Sequence, residues 1–236
     1  MSVTSMVAAA AAALSLALPV AASAAEPVRS VDIYVEPYYA SPEKPGGTPQ
    51  VAVGASYSKL LASTDKEDIV AARDRVLADP LNVTPMTMMV LAIRLYDVGL
   101  RDDAVFWFYA GRDRFITLSE VLDLNADGLR QVEDAIRNFS VLAGPVINGY
   151  AFCDIANQQK IRKAALDWVE ANPYGAIQIE KLPAVVPDRT EGIRAAVMKI
   201  RESAATETAY FADAASVADF KKKRAENQMD EKFCWK

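Results

Sequence analysis

From Thr64 onward, apolar residues recur every three to four positions, the spacing that places them on one face of an α-helix. Thr64-Asp65-Lys66-Glu67 reads as a capping box, and Ile69, Val70, Val76 and Leu77 follow it until Asp79-Pro80. A second helix is predicted from Thr84, with Pro85 at its first position, through Met88, Leu91, Ala92 and Leu95 to Gly99. The next helix carries Asp102 and Asp103 in its first turn, where carboxylates suit the helix dipole. Its run from Ala104 to Ala110 is apolar all round, which predicts the central buried helix. Leu129, Val132, Ile136 and Phe139 mark another helix, expected to end at Gly144-Pro145. Ile161, Ala165, Trp168 and Val169 mark one ending at Asn172-Pro173. Residues 173–187 read as irregular. Asp188 to Glu191 resembles an N-terminal cap for the stripe Ile193, Ala196, Val197, Ile200 and Ala204, and a last helix is expected from Tyr210 to the vicinity of Met229.

The residues before Thr64 differ. Val31 to Glu36 alternates apolar and polar residues with β-branched enrichment, a strand signal, and Gln50 to Gly54 is a weaker one. Between them, the stretch from Pro37 to Pro49 holds four prolines and two glycines and reads as a loop. A lone two-stranded hairpin is marginal in water, so these strands need helices to cover them, or the segment is an arm. The fold class expected is mainly α, an irregular bundle of about seven helices built on helical hairpins, with a short N-terminal β-hairpin or extended arm. The organisation expected is 1–25 as an export signal, 26–63 as the extended or hairpin arm, and 64–236 as a single α-helical domain.

Val7 to Ala25 is uncharged and rich in Ala, Leu and Val; Pro19 ends the apolar run, and Ser23 and Ala25 supply small residues for cleavage. That is the pattern of a secretory signal peptide, and the mature chain is expected in the periplasm or secreted. Export changes the reading of the two cysteines, because an even count in an oxidising compartment favours a disulfide. Cys153 and Cys234 would pair, closing a loop of about 80 residues and restricting the unfolded chain by about 4–5 kcal/mol.

Composition narrows the chemistry. The chain of 236 residues has no histidine, so Ser/His/Asp and Cys/His nucleophilic centres and His-ligated metals are ruled out. Two cysteines cannot make a four-thiolate site. Asp123-Leu124-Asn125-Ala126-Asp127-Gly128 resembles the opening of a calcium loop, with Asp123, Asn125, Asp127 and, at position twelve, Asp134 as oxygen ligands. Arg130 at position eight departs from that pattern, and a turn followed by a new helix cap accounts for the same residues. The remaining acid clusters sit at predicted helix starts, where capping explains them. Lys221-Lys222-Lys223-Arg224 is flanked by acids and, in a chain of net charge −5, reads as a solvated helix end. Phosphate-binding glycine loops and nucleophile elbows are absent from the sequence.

Around Gly99, the residues Ala92, Leu95, Ala104, Phe108 and Gly111 stand at the offsets of one tetratricopeptide or Sel1-like helical hairpin, with no second copy. The longer stretch from about Pro85 to Pro173 resembles a family of uncharacterised exported bacterial proteins. Asp103 to Arg112, Gly144 to Asn148 and the Trp168 region carry that likeness. The resemblance implies a fold and a compartment and supplies no catalytic residue. The function expected is therefore an exported helical binding protein of the bacterial envelope, with another protein or envelope component as partner, no nucleic acid and no cofactor. The alternatives are a carboxylate-based cell-wall hydrolase and a calcium-stabilised module. The surface around Tyr109 and Arg112 is the place where a pocket, a groove or a closed face would separate them.

Overall fold

The hairpin around Gly99 forms as its sequence dictates. Thr84 Oγ1 accepts the N–H of Thr87, Pro85 occupies the first turn, and α3 runs Pro85–Asp97. Gly99, at φ +82°, turns the chain back into α4, Arg101–Ser119. A Cβ on Gly111 would lie 3.1 Å from Met88 Cβ, so the glycine lets the two helices approach closely. The computed structural model describes residues 25–235. The export signal assigned to residues 1–25 thus falls, apart from Ala25, outside the described residues.

Three short strands precede the helices: β1 (Tyr34–Val35), β2 (Tyr39–Ala40) and β3 (Gln50–Val51), antiparallel in the order β1-β2-β3. The register pairs Val35 with Tyr39 and Tyr39 with Val51. The structure corrects the two-stranded expectation, because β2 lies inside the proline-rich stretch read as loop, and two residues are too few to show alternation. Val31, Val35 and Tyr39 belong to the main hydrophobic core, so residues 26–63 are packed into the helical body rather than held out as an arm. Helix α1, Ala55–Leu61, lies within that segment and buries only Leu61, a single position that sets no period.

Helix α2 spans Lys66–Ala78 and buries Ile69, Ala72 and Val76. Its capping box is not formed: the N-cap is Asp65, without a side-chain cap, and Ser63 Oγ instead accepts the N–H of Asp65. The central position belongs to α4, as its all-round apolar sequence predicts. It packs against α3, α5 (Arg130–Ala151), α6 (Ile155–Ala171) and α7 (Arg189–Ala212). Trp107 of α4 and Trp168 of α6 meet edge to face at a centroid distance of 5.0 Å. Helix α6 begins at an Asp154 cap and ends at Asn172 as expected, and Asp188 caps α7 through the Glu191 N–H.

Two helix ends differ from the sequence reading. Helix α5 continues through Gly144-Pro145 to Ala151. Gly144 lies against the Phe108 ring, and Pro145 faces outward; the carbonyl deprived of its N–H donor belongs to Val141, itself exposed, so solvent replaces the lost bond. The single last helix is instead two. Asp213 ends α7 and caps α8 (Ala214–Glu226) by accepting from Ser216, and Gln228, at φ 52°, separates α8 from α9 (Met229–Phe233).

Cys153 and Cys234 form a disulfide with Cα atoms 5.5 Å apart and a sequence separation of 81. It fixes the C-terminal tail to the end of α5, where Phe233 fits over Gly149. The Val28 N–H donates to the Lys232 carbonyl at 2.8 Å, and Trp235 lies between the guanidinium groups of Arg29 and Arg101 at 4.4 and 4.1 Å from its centroid. Among the described residues, no helix is long and apolar enough to cross a membrane.

Candidate functional site

Helix α5 presents apolar residues on both its inward and its outward face. The inward stripe of Ile136, Phe139, Ala143 and Ile147 is buried. The outward residues Arg137, Val141, Pro145, Asn148 and Phe152 recur at helical spacing, and Val141 is 65% exposed and the neighbouring Leu142 42% exposed. An exposed valine, leucine and proline within one turn of helix form an apolar patch of the kind that marks a contact surface.

Two hollows lie along this helix and share Asn148, and Pro145 lines the second of them. The first, about 450 Å³, lies between α4 and α5, with Phe108, Phe115, Ile116 and Ile136 at its base and Arg112, Glu133 and Arg137 at its rim. The second, about 480 Å³, lies between α5, α8 and α9, with Phe152, Phe220 and Met229 beside Lys223, Arg224 and Lys232. The surface around Tyr109 and Arg112 is thus an open groove on the Arg112 side. Tyr109 is buried beneath it.

A polar network supports Asn148 from below. The Tyr109 hydroxyl donates to Asn148 Oδ1 at 3.0 Å and accepts from Gln158 Nε2 at 3.1 Å, and Gln158 Nε2 also reaches Glu207 Oε1 at 2.8 Å. Burial pushes the Tyr109 phenol up to about 12, so it stays protonated and remains a donor. One turn further along α4, Asp113 makes a two-point ion pair with Arg162 in the interior. Desolvation raises the Asp113 carboxyl despite the guanidinium beside it. Both features hold α4, α5, α6 and α7 in fixed relation under the groove.

The electrostatics of the two hollows are alike. Arg137 pairs with Glu133 at 2.7 Å, Lys223 with Asp219 at 2.7 Å, and Arg224 with Asp230 at 2.8 Å. Arg112 in the first hollow and Lys232 in the second have no carboxylate partner among the described residues; Lys232 donates only to the Asn227 carbonyl, at 3.0 Å. The run from Lys221 to Arg224 is a solvated helix end only in part. Arg224 is 7% exposed, donates to the Gly149 carbonyl and lies 3.4 Å from Cys234 Sγ.

The other sequence-predicted positions are placed as follows. Asp123 Oδ1 accepts the Asn125 N–H at 3.0 Å, and Gly128 takes the turn at φ +83°. Asp127 precedes α5 and Asp134 lies on it. Among the described residues, no group of three or more Cys, Asp or Glu side chains gathers with geometry to hold a metal ion, so the structure does not bring Asp123, Asp127 and Asp134 together. Carboxylates share a cavity at two places: Asp102 and Asp154 line a small one of about 40 Å³, and Asp32, Glu43 and Asp97 line a pocket of about 260 Å³ between the N-terminal segment and α3. Burial lifts Asp97 to about 6. Both its oxygens are committed, Oδ1 to the Val31 N–H at 2.8 Å and Oδ2 to Arg94 at 2.6 Å. Arg94 in turn donates to the carbonyls of Leu61 and Ser63, which makes the pair a strut between the N-terminal segment and α3.

Sequence reasoning followed only the inward stripe of this helix and, by ending it at Pro145, left out Asn148 and the last turn. The available signal was the position of Val141 and Leu142, which fall off the stripe of Leu129, Val132, Ile136 and Phe139.

Fold and surface together define a mainly α-helical protein with an open, apolar, cation-flanked face on one helix. The chain belongs to the same family as an uncharacterised protein of Haemophilus influenzae, to which it is 36% identical over 210 residues, covering 89% of this chain and 81% of that protein. No family model matches the chain, and no solved structure matches it.

Proposed function

We propose that this chain is an exported helical binding protein of the bacterial envelope, without catalytic activity of its own, which docks another protein on the outward face of α5. The observation that carries this reading is the exposed Val141, one turn before Pro145 at the edge of the second hollow, on a helix flanked by two hollows with apolar bases. Partner contacts concentrate where apolar anchors sit in hollows ringed by polar groups. Residues 1–25 and the Cys153–Cys234 disulfide support an oxidising compartment. The α3–α4 hairpin, which resembles a tetratricopeptide or Sel1-like unit, serves here as the buried scaffold, since twelve residues of α3 from Pro85 to Tyr96 are buried.

Val141→Asp tests the reading. The variant places a carboxylate on the exposed patch and leaves the packed interior untouched, so its melting temperature stays at the wild-type value. Recovery of partner from envelope extract by the immobilised mature protein falls to background. Undiminished recovery of the same partner by Val141→Asp would reject this face.

A second reading, the cell-wall hydrolase, is favoured by the carboxylates lining the pocket at Asp97. Both Asp97 oxygens are already bonded, which weakens it, and clearing of peptidoglycan in a zymogram that Asp97→Asn abolishes is the result it requires.

A further inference from the structure

We infer that the segment bound along α5 is an acidic amphipathic helix of another protein, read by Arg112 from the first hollow and Lys232 from the second. The inference rests on the docking reading above and specifies its occupant.

The chain as a whole carries −5, yet the lining of the second hollow contains three cations and no carboxylate, and that of the first contains two cations and one carboxylate. Most of these cations are neutralised within the chain. Arg137, Lys223 and Arg224 have their own acids. Arg112 and Lys232 do not, and each sits beside an apolar base, Phe108, Phe115 and Ile116 in one case and Phe152, Phe220 and Met229 in the other. A cation beside apolar surface and without an acid partner is complementary to an anionic group carried next to apolar side chains.

Spacing sets the form of the occupant. The stretch of α5 from Ile136, at the first hollow, to Phe152, at the second, covers sixteen residue steps, or roughly 24 Å at the helical rise. A partner helix of about four to five turns spans that length, and its apolar side chains at three- and four-residue intervals would cover Val141 and, at the edge of the second hollow, Pro145. Arg112 lines the first hollow and Lys232 the second, so acidic groups on such a helix would meet one cation in each. Between them, Asn148 has its Oδ1 held by Tyr109, and its amide NH₂ donates to no described group.

The test uses the full mature protein and three synthetic helical peptides of about 18 residues with one common apolar face and glutamate, glutamine or lysine elsewhere. Isothermal titration is expected to show the glutamate peptide binding at least tenfold more tightly than the glutamine peptide, and the lysine peptide not binding. Arg112→Glu and Lys232→Glu each weaken the glutamate peptide about tenfold, and the double variant binds the lysine peptide instead. That reversal also answers the objection that the variants fail to fold. Equal binding of all three peptides, or preference for the lysine peptide, overturns the inference. So does binding of the protein to phosphatidylglycerol-containing vesicles that Arg112→Glu and Lys232→Glu abolish while the glutamate peptide fails to bind, which assigns the cations to lipid. If no peptide binds while Val141→Asp still abolishes partner recovery, the docking reading stands and this occupant is rejected.

Discussion

The hydroxyl of Tyr109 donates to Asn148 Oδ1 at 3.0 Å, and this bond between α4 and α5 fixes which way the Asn148 amide faces the two hollows. Tyr109 is itself held by Gln158, so the orientation of a surface residue is set from the interior of the bundle. A groove whose central polar group is fixed in advance loses less entropy on binding.

Tyr109→Phe removes that donor and one acceptor of Gln158, which keeps Glu207. The loss of two hydrogen bonds should cost about 1–3 kcal/mol of stability. Urea unfolding checks it. Partner binding on α5 weakens as well, because Asn148 is free to turn. A variant with unchanged stability would show that the network does not bear on the packing.

The C-terminal tail is secured by the Cys153–Cys234 bridge and by Phe233 over Gly149, where a Cβ would fall 2.6 Å from the ring. Gly149→Ala should destabilise the protein by about 1–3 kcal/mol through overpacking against Phe233. Reduction of the disulfide removes a constraint worth about 4–5 kcal/mol on the unfolded chain. A scan with and without dithiothreitol should show a lower melting temperature on reduction, and Cys153→Ser with Cys234→Ser should reproduce it.

Asp97 predicts a pH dependence with a definite sign. Burial raises its carboxyl from 3.8 to about 6 against the lowering effects of the Val31 N–H and Arg94. The folded state therefore binds this proton more tightly than the unfolded chain, and the contribution to stability is full below about pH 4 and is lost as the pH rises through 6. A raised Asp113 acts in the same direction. Urea midpoints should fall between about pH 4 and 7, and the fall should be smaller in Asp97→Asn, in which Arg94 keeps its bonds to Leu61 and Ser63. A carboxyl titration of Asp97 near its ordinary value of 3.8 would contradict this.

The core was legible where local signals and burial agree. Thr84, Pro85 and Gly99 set the ends of α3 by capping and backbone preference alone, and the run from Ala104 to Ala110 needed no partner to be read as central. Pro145 was misread because a proline stops a helix only when nothing else can donate to the orphaned carbonyl, and the exposure of Val141 to water is a tertiary fact. Helix α1 and strand β2 are too short to carry a period. Of the site, Arg112 stood out in the sequence, whereas Lys232 and Met229 enter only because the disulfide and the turn at Gln228 bring the tail back to α5. No spacing along the chain encodes that approach.

The docking face itself is tested most directly by placing a photo-cross-linking residue at Val141, at Leu77 on α2 and at Met198 on α7, three exposed apolar positions on different helices, in cells that produce the protein. A discrete adduct is expected from position 141 and none from 77 or 198. Adducts of equal yield from all three positions, or none from 141, would contradict it.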